Sequence, residues 1–147
     1  MKYGSLIFEK KEFLTIKSST NSKPLLEDYA HKNLLDMLKK NMNEAILFND
    51  RDMPTDIVRL YSLITVKCSS GWVGTFQLVL PKEVDTKKNR FSVISSVGAS
   101  FIGLSEGDAV RYGLPGNSMV LKINKVTHIH KKKPLDIPRK KIENDFA

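Results

Sequence analysis

The sequence predicts an α+β fold: an antiparallel sheet carrying one short packed helix, preceded by a short N-terminal helical hairpin. Three observations carry that expectation. Apolar residues recur at three- and four-residue steps through the first fifty positions. After the linker-like "FNDRDMPTD" (48–56) they recur at every second residue. Finally, "SVGASFIGLSEGDAVRYGLPGN" (96–117) inserts a small apolar helix before a strand and punctuates it with Gly-Asp and Pro-Gly steps.

In chain order, "EKKEFLTIK" (9–17) places Phe13 three residues before Ile16 and one turn before Lys17, which predicts a short amphipathic helix. "SSTNSK" (18–23) reads as a turn of capping and breaking residues. Pro24 suits a first helical position, and Glu27 and Asp28 suit the positive N-terminal end. Leu26, Ala30, Leu34, Met37, Leu38, Asn41, Met42 and Ala45 then recur at helical spacing, with Lys39 and Lys40 toward the C-terminal end. A helix of about twenty residues, ~30 Å long, follows from that run.

Strands come next. In "LYSLITVKC" (60–68), Leu60, Ile64, Val66 and Cys68 share a face with Ser62, and Ser69-Ser70-Gly71 turns the chain. "WVGTFQLVL" (72–80) alternates Trp72, Phe76, Leu78 and Leu80, and Pro81 ends it. "KEVDTKKN" (82–89) is a polar loop before a third strand, "RFSVIS" (90–95). The short helix is expected over 97–103, a fourth strand over "DAVRYGL" (108–114) and a fifth over "MVLKINKVTHI" (119–129). Leu114-Pro115-Gly116-Asn117 fits a type II turn. Gly98, Ala99 and Ser100 let the short helix approach the sheet closely. Val97, Phe101 and Ile102 give its apolar contact, and Gly103 its C-terminal cap.

The chain divides into a short helical arm (1–50), a sheet domain (51–130) and a basic tail (131–147) read as disordered. With 41% hydrophobic and 27% charged residues in 147, the composition is that of one globular domain with an appendage. Apolar runs such as Leu78-Val79-Leu80 are too short to span a membrane, and Leu6-Ile7-Phe8 is too short for a signal peptide. The lone Cys68 fits a structural residue in a reducing cytoplasm. Net charge is +8, of which +5 lies from Lys122 onward, a field that favours polyanions or an acidic protein surface.

Chemistry-bearing patterns are sparse. His128 and His130 point to the same side of a strand, but no third ligand is near in sequence. No phosphate loop, paired catalytic carboxylates or Ser-His-Asp order is present, so no enzyme and no cofactor are expected. Trp72, Phe76, Phe91, Phe101 and Tyr112 raise a prolyl isomerase pocket as a rival, although aromatics at strand spacing more often fill a core.

"RFSVISSVGASFIGLSEGDAVRYGLPGN" resembles the C-terminal domain of the Gre family of bacterial transcription elongation factors, and "DMPTDIVRLYSLITV" (52–66) resembles the start of that domain. Val97-Gly98, Gly103-Leu104 and Leu114-Pro115-Gly116 are similar to the branch of regulators of nucleoside diphosphate kinase, whose N-terminal helical region is short. The resemblance implies an FKBP-like fold and binding to RNA polymerase at the rim of its secondary channel. Its contact surface would be the strand–helix junction Ile94, Ser95, Ser96, Val97 and Gly98 with the turn at Asp108. The family commonly carries Asp where Ile94 stands, in the cleavage factors, and Pro where Ser96 stands. Full-length Gre factors also insert a long hairpin whose two tip carboxylates help hold a catalytic Mg²⁺. The corresponding tip, Ser18 to Lys23, has none; Glu27 and Asp28 lie one turn further along. The expectation is therefore a cytoplasmic, monomeric, non-enzymatic regulator whose hairpin sits at the channel mouth. A nucleic-acid binder acting through the basic tail is the alternative.

Overall fold

The computed structural model describes residues 1–22, 24–114 and 117–129. Its N-terminal part runs β1 (Ile7–Glu9), α1 (Lys10–Asn21), α2 (Tyr29–Asn43) and β2 (Ile46–Phe48). The remainder runs β3 (Leu63–Cys68), β4 (Val73–Val79), β5 (Arg90–Ser92), α3 (Ser96–Phe101), β6 (Ala109–Leu114) and β7 (Asn117–Thr127). The expected α+β architecture is present, with the helices on one face of a five-stranded sheet of order β5-β4-β3-β7-β6. Its pairs are antiparallel except β4–β5 at one edge, which is parallel.

Alternation sets which face of the sheet is covered. Ile64 and Val66 of β3, Phe76 and Leu78 of β4, and Leu121 and Ile123 of β7 are fully buried and meet Val97 and Phe101 of α3. The β3–β7 register slips between Thr65 and Val66, so that Lys125 opposes Thr65 but Ile123 opposes Val66. That bulge keeps both Ile123 and Val126 on the core side.

The N-terminal segment joins the same core through Leu6, Phe8, Ile16, Leu35, Leu38 and Met42. Two short strands that the sequence reading left unassigned anchor it. β1 pairs in parallel with β2, Ile7 against Ile46, and the Ile7 N–H donates to the Gly103 carbonyl at 3.0 Å. Gly103 sits just beyond α3 at φ +82°, and a Cβ there would meet Phe8 at 3.0 Å. It therefore supplies both the left-handed turn and the room for β1.

The helices differ from expectation: α3 spans Ser96–Phe101 rather than 97–103, with Ile102 at its C-cap, and the first two depart from it as well. α1 continues to Asn21 because its polar end bonds back on itself: the Thr20 hydroxyl donates to the Lys17 carbonyl at 2.7 Å. α2 begins at Tyr29 rather than Pro24, because the Asp28 carboxylate accepts from the His31 N–H at 2.8 Å and makes Asp28 the N-cap. The face that α2 buries is His31, Leu35, Leu38 and Met42, whereas Leu26, Ala30 and Met37 of the expected stripe are exposed. The expected type II turn at Leu114–Asn117 and the basic tail fall at or among residues outside those described. No helix among the described residues is long and apolar enough to cross a membrane.

Candidate functional site

The junction between β5 and α3 is built by hydroxyl caps and one glycine. Ser95 is the N-cap of α3; its Oγ accepts from the Gly98 N–H at 3.1 Å and donates to the Ser92 carbonyl at 2.6 Å. Gly98 lies so close to the end of β5 that a Cβ would stand 2.0 Å from the Ser92 oxygen and 2.6 Å from Val93 Cα. Ile94, Ser96, Val97 and Gly98 are buried.

What covers them is the start of α2. The Glu27 carboxylate accepts from both the N–H and the Oγ of Ser96, each at 3.0 Å. One turn on, the buried His31 ring donates from Nε2 to the Ile94 carbonyl at 2.6 Å and accepts from the Glu27 N–H on Nδ1 at 2.9 Å. A donor at one nitrogen and an acceptor at the other define a neutral tautomer, so the geometry is that of a hydrogen-bonded core histidine. Three of these bonds clamp α2 and the residues before it onto the junction across more than sixty residues of chain, and the fourth, within the segment, orients the His31 ring.

Beside the clamp runs an open groove of about 430 Å³. Leu34 and Met37 of α2, Ser96 of α3, and Arg111 and Tyr112 of β6 line it, with Glu27 and Asp28 at one end. Burial, and then the charges of Glu27 and Asp28, push the Tyr112 phenol up to about 12. The apolar surface continues outward from the groove: Met37 is 59%, Leu26 44% and Tyr29 76% exposed. Of the expected contact residues, only Ser96 lines this groove; Ile94, Ser95, Val97 and Gly98 lie beneath or beside it and set its shape.

Asp108 is placed elsewhere, past the far end of α3. One carboxylate oxygen accepts from the Ser105 N–H at 2.9 Å and its Oγ at 3.1 Å, and the other accepts from the Lys2 N–H at 2.9 Å. Its side chain thus braces the Gly107 turn, at φ +90°, and ties down the N-terminus.

Other residues resolve as structure. Phe76 packs edge-on against Phe91 at 5.8 Å and tilted against Phe101 at 5.7 Å, inside the core. Trp72 packs at the core's edge and Tyr112 lines the groove, so the five aromatics do not gather around one pocket. Cys68 is buried and accepts from the Ser70 hydroxyl at 3.3 Å. Among the described residues no three His, Cys, Asp or Glu side chains gather as metal ligands, and His130 lies outside them. Arg59 is buried between Glu12 and Asp50, joining α1 to the sheet domain. Sequence reasoning missed Arg59 and His31; the spacing of Asp28 to His31 could have flagged the cap, but nothing local pointed to Ile94.

Comparison with known proteins decides the family: the profile described as "Transcription elongation factor, GreA/GreB, C-term" matches residues 53–128, just over half of the chain. The chain belongs to the GreA/GreB family. Its matched segment holds the whole five-stranded sheet and α3, whereas the clamp residues Glu27 and His31 come from outside it. Among its relatives is the "Regulator of nucleoside diphosphate kinase" of Escherichia coli K12, 32% identical over 89 residues, covering 60% of this chain and 65% of that protein. The chain thus spans just under two thirds of that relative's length. "Transcription elongation factor GreA" of Syntrophomonas wolfei is 36% identical over 90 residues, 60% of this chain and 57% of that protein. The fold matches the "Prokaryotic transcription elongation factor GreA/GreB from Nitrosomonas europaea" with a TM-score of 0.69 at 21% identity, covering 84% of this chain and 98% of the other.

Proposed function

We propose that this protein is a transcription regulator of the Gre type that docks on RNA polymerase near its secondary channel without stimulating transcript cleavage. The observation that carries the reading is the groove beside the β5–α3 junction of the family domain, whose apolar wall, with Met37 at its rim, is left open to solvent. Exposed apolar surface of this kind, rimmed by polar groups, fits a protein–protein contact. In this reading Met37 meets the polymerase, Ile94, Ser95, Ser96, Val97 and Gly98 hold the surface in shape, and Asp108 holds the turn past the far end of α3.

Where the carboxylates point supports the reading without cleavage stimulation. Glu27 is spent on Ser96 and Asp28 on the α2 cap, so both already accept hydrogen bonds within the protein. α1 has 12 residues, about 18 Å at 1.5 Å per residue, and Ile16 and Thr20 seat it on the domain instead of releasing it into a channel.

The test is displacement of a fluorescent Gre factor from core RNA polymerase. Wild-type protein is expected to displace it, and Met37→Glu, at an exposed position, to lose at least tenfold in competition while melting at the same temperature. In stalled elongation complexes the protein is expected to leave RNA cleavage at its basal rate and to suppress the Gre-stimulated rate. Failure of the wild type to compete refutes the docking; stimulated cleavage refutes the second half of the proposal.

A further inference from the structure

The face of the sheet turned away from the helices has a charge pattern that packing does not explain. Lys67 on β3 stands directly opposite Lys122 on β7, so their side chains leave the same face side by side. Like charges in directly opposed positions destabilise a sheet. On the same face Lys125 lies opposite Thr65, and Arg111, diagonal to Lys122 on the edge strand β6, stands where this face meets the groove. All four cations are exposed, while the alternating Val66, Leu121 and Ile123 are buried.

No carboxylate offsets them within the sheet: β3 to β7 contain no Asp or Glu. Those that close its end are already engaged, Glu106 accepting from the Val126 N–H at 2.8 Å and Asp108 from Ser105 and Lys2. Beside the cations the face carries Thr65 and Thr75, whose hydroxyls lie 3.1 Å apart, and the half-exposed Val73 opposite Lys67. At about 4.8 Å per strand and 3.3 Å per residue, the four cations cover a patch roughly 10 Å on each side.

We infer that this open sheet face binds the phosphate backbone of a nucleic-acid duplex, as a site separate from the groove proposed to meet polymerase. An array of cations without carboxylates complements a surface of regularly spaced phosphates. The face presents no aromatic side chain on which an unpaired base could stack, which favours a duplex over a single strand. Lysines and arginine contacting phosphates give affinity and orientation without sequence preference.

The test is fluorescence anisotropy of a short labelled DNA duplex across a salt series, with full-length wild type, Lys67→Thr/Lys122→Thr, and a tail variant carrying serine at 131–133. Threonine suits a strand and relieves the repulsion, so the double variant is expected to melt no lower than the wild type. Its affinity at low salt is expected to fall about tenfold or more, and the slope of log K against log salt to lose about 2 units, near 0.9 per phosphate contact. Unchanged affinity and slope in the double variant, with loss confined to the tail variant, overturns the inference. So does a wild type that ignores the duplex but binds polyglutamate. Competition with a Gre factor is unaffected by these variants, so failure here and failure of the polymerase reading are separate results.

Discussion

Gly98→Ala opposes two effects of known size. In an exposed helix, alanine would stabilise by up to ~1 kcal/mol, because glycine has the weaker helix propensity. Here the new Cβ would stand 2.0 Å from the Ser92 oxygen, 2.6 Å from Val93 Cα and 2.7 Å from Val93 C. An ordinary carbon–oxygen contact is about 3.3 Å, so the groups must separate by about 1.3 Å. Ser92 and Val93 cannot yield easily, since Ser92 pairs with Val79 and the Val93 N–H donates to the Val79 carbonyl at 2.9 Å. α3 must move instead, stretching the 2.6 Å Ser95–Ser92 bond and the Glu27–Ser96 and His31–Ile94 clamp. Two or three such bonds at about 1 kcal/mol each, with overpacking of about 1–3 kcal/mol, outweigh the propensity gain and leave a loss of about 3 kcal/mol. For a chain of this length that lowers Tm by about 6–12 °C. Urea and thermal unfolding followed by far-UV circular dichroism measures it. A variant as stable as the wild type, or more stable, would refute the account of the junction as a close backbone contact.

Asp108→Ala removes the acceptor for Ser105 and the Lys2 N–H and is expected to cost about 1–2 kcal/mol. It should also raise amide exchange at residues 2–4 while leaving Gre-factor competition intact below its melting temperature; lost competition at unchanged stability would make Asp108 a direct contact. Tyr112 gives a pH signature. Its folded pKa lies near 12, above the ordinary 10.0, so between those values the native state holds a proton that the unfolded chain has released. Stability therefore falls as pH rises through that window. Ultraviolet titration of tyrosinate should lose one late-titrating phenol in Tyr112→Phe, and Glu27→Gln should move that phenol downward. Titration of Tyr112 at the ordinary value would contradict the half-buried, acid-flanked groove.

The sheet domain was legible because its determinants are local. The period-two run in 63–68 names its own buried face, and the Gly-rich stretch around α3 can be read as close packing without knowing the partner. β1 and β2 were not legible, since three residues carry no period and each strand exists only through the other and through Gly103.

α2 shows the boundary most clearly. Its sequence determined a helix with apolar residues on more than one stripe, and Leu34 and Met37 scan as core as readily as Leu35 and Leu38. Only the tertiary structure decided between them. Ile94 presents a carbonyl and Ser96 two donors at the site where α2 lands; satisfying them buries His31, draws the Glu27 carboxylate onto Ser96 and leaves Met37 at the groove. Hydrophobic burial is non-directional and accepts either stripe, whereas a buried carbonyl and N–H need particular partners at hydrogen-bond distance, and those partners lie more than sixty residues away in the chain.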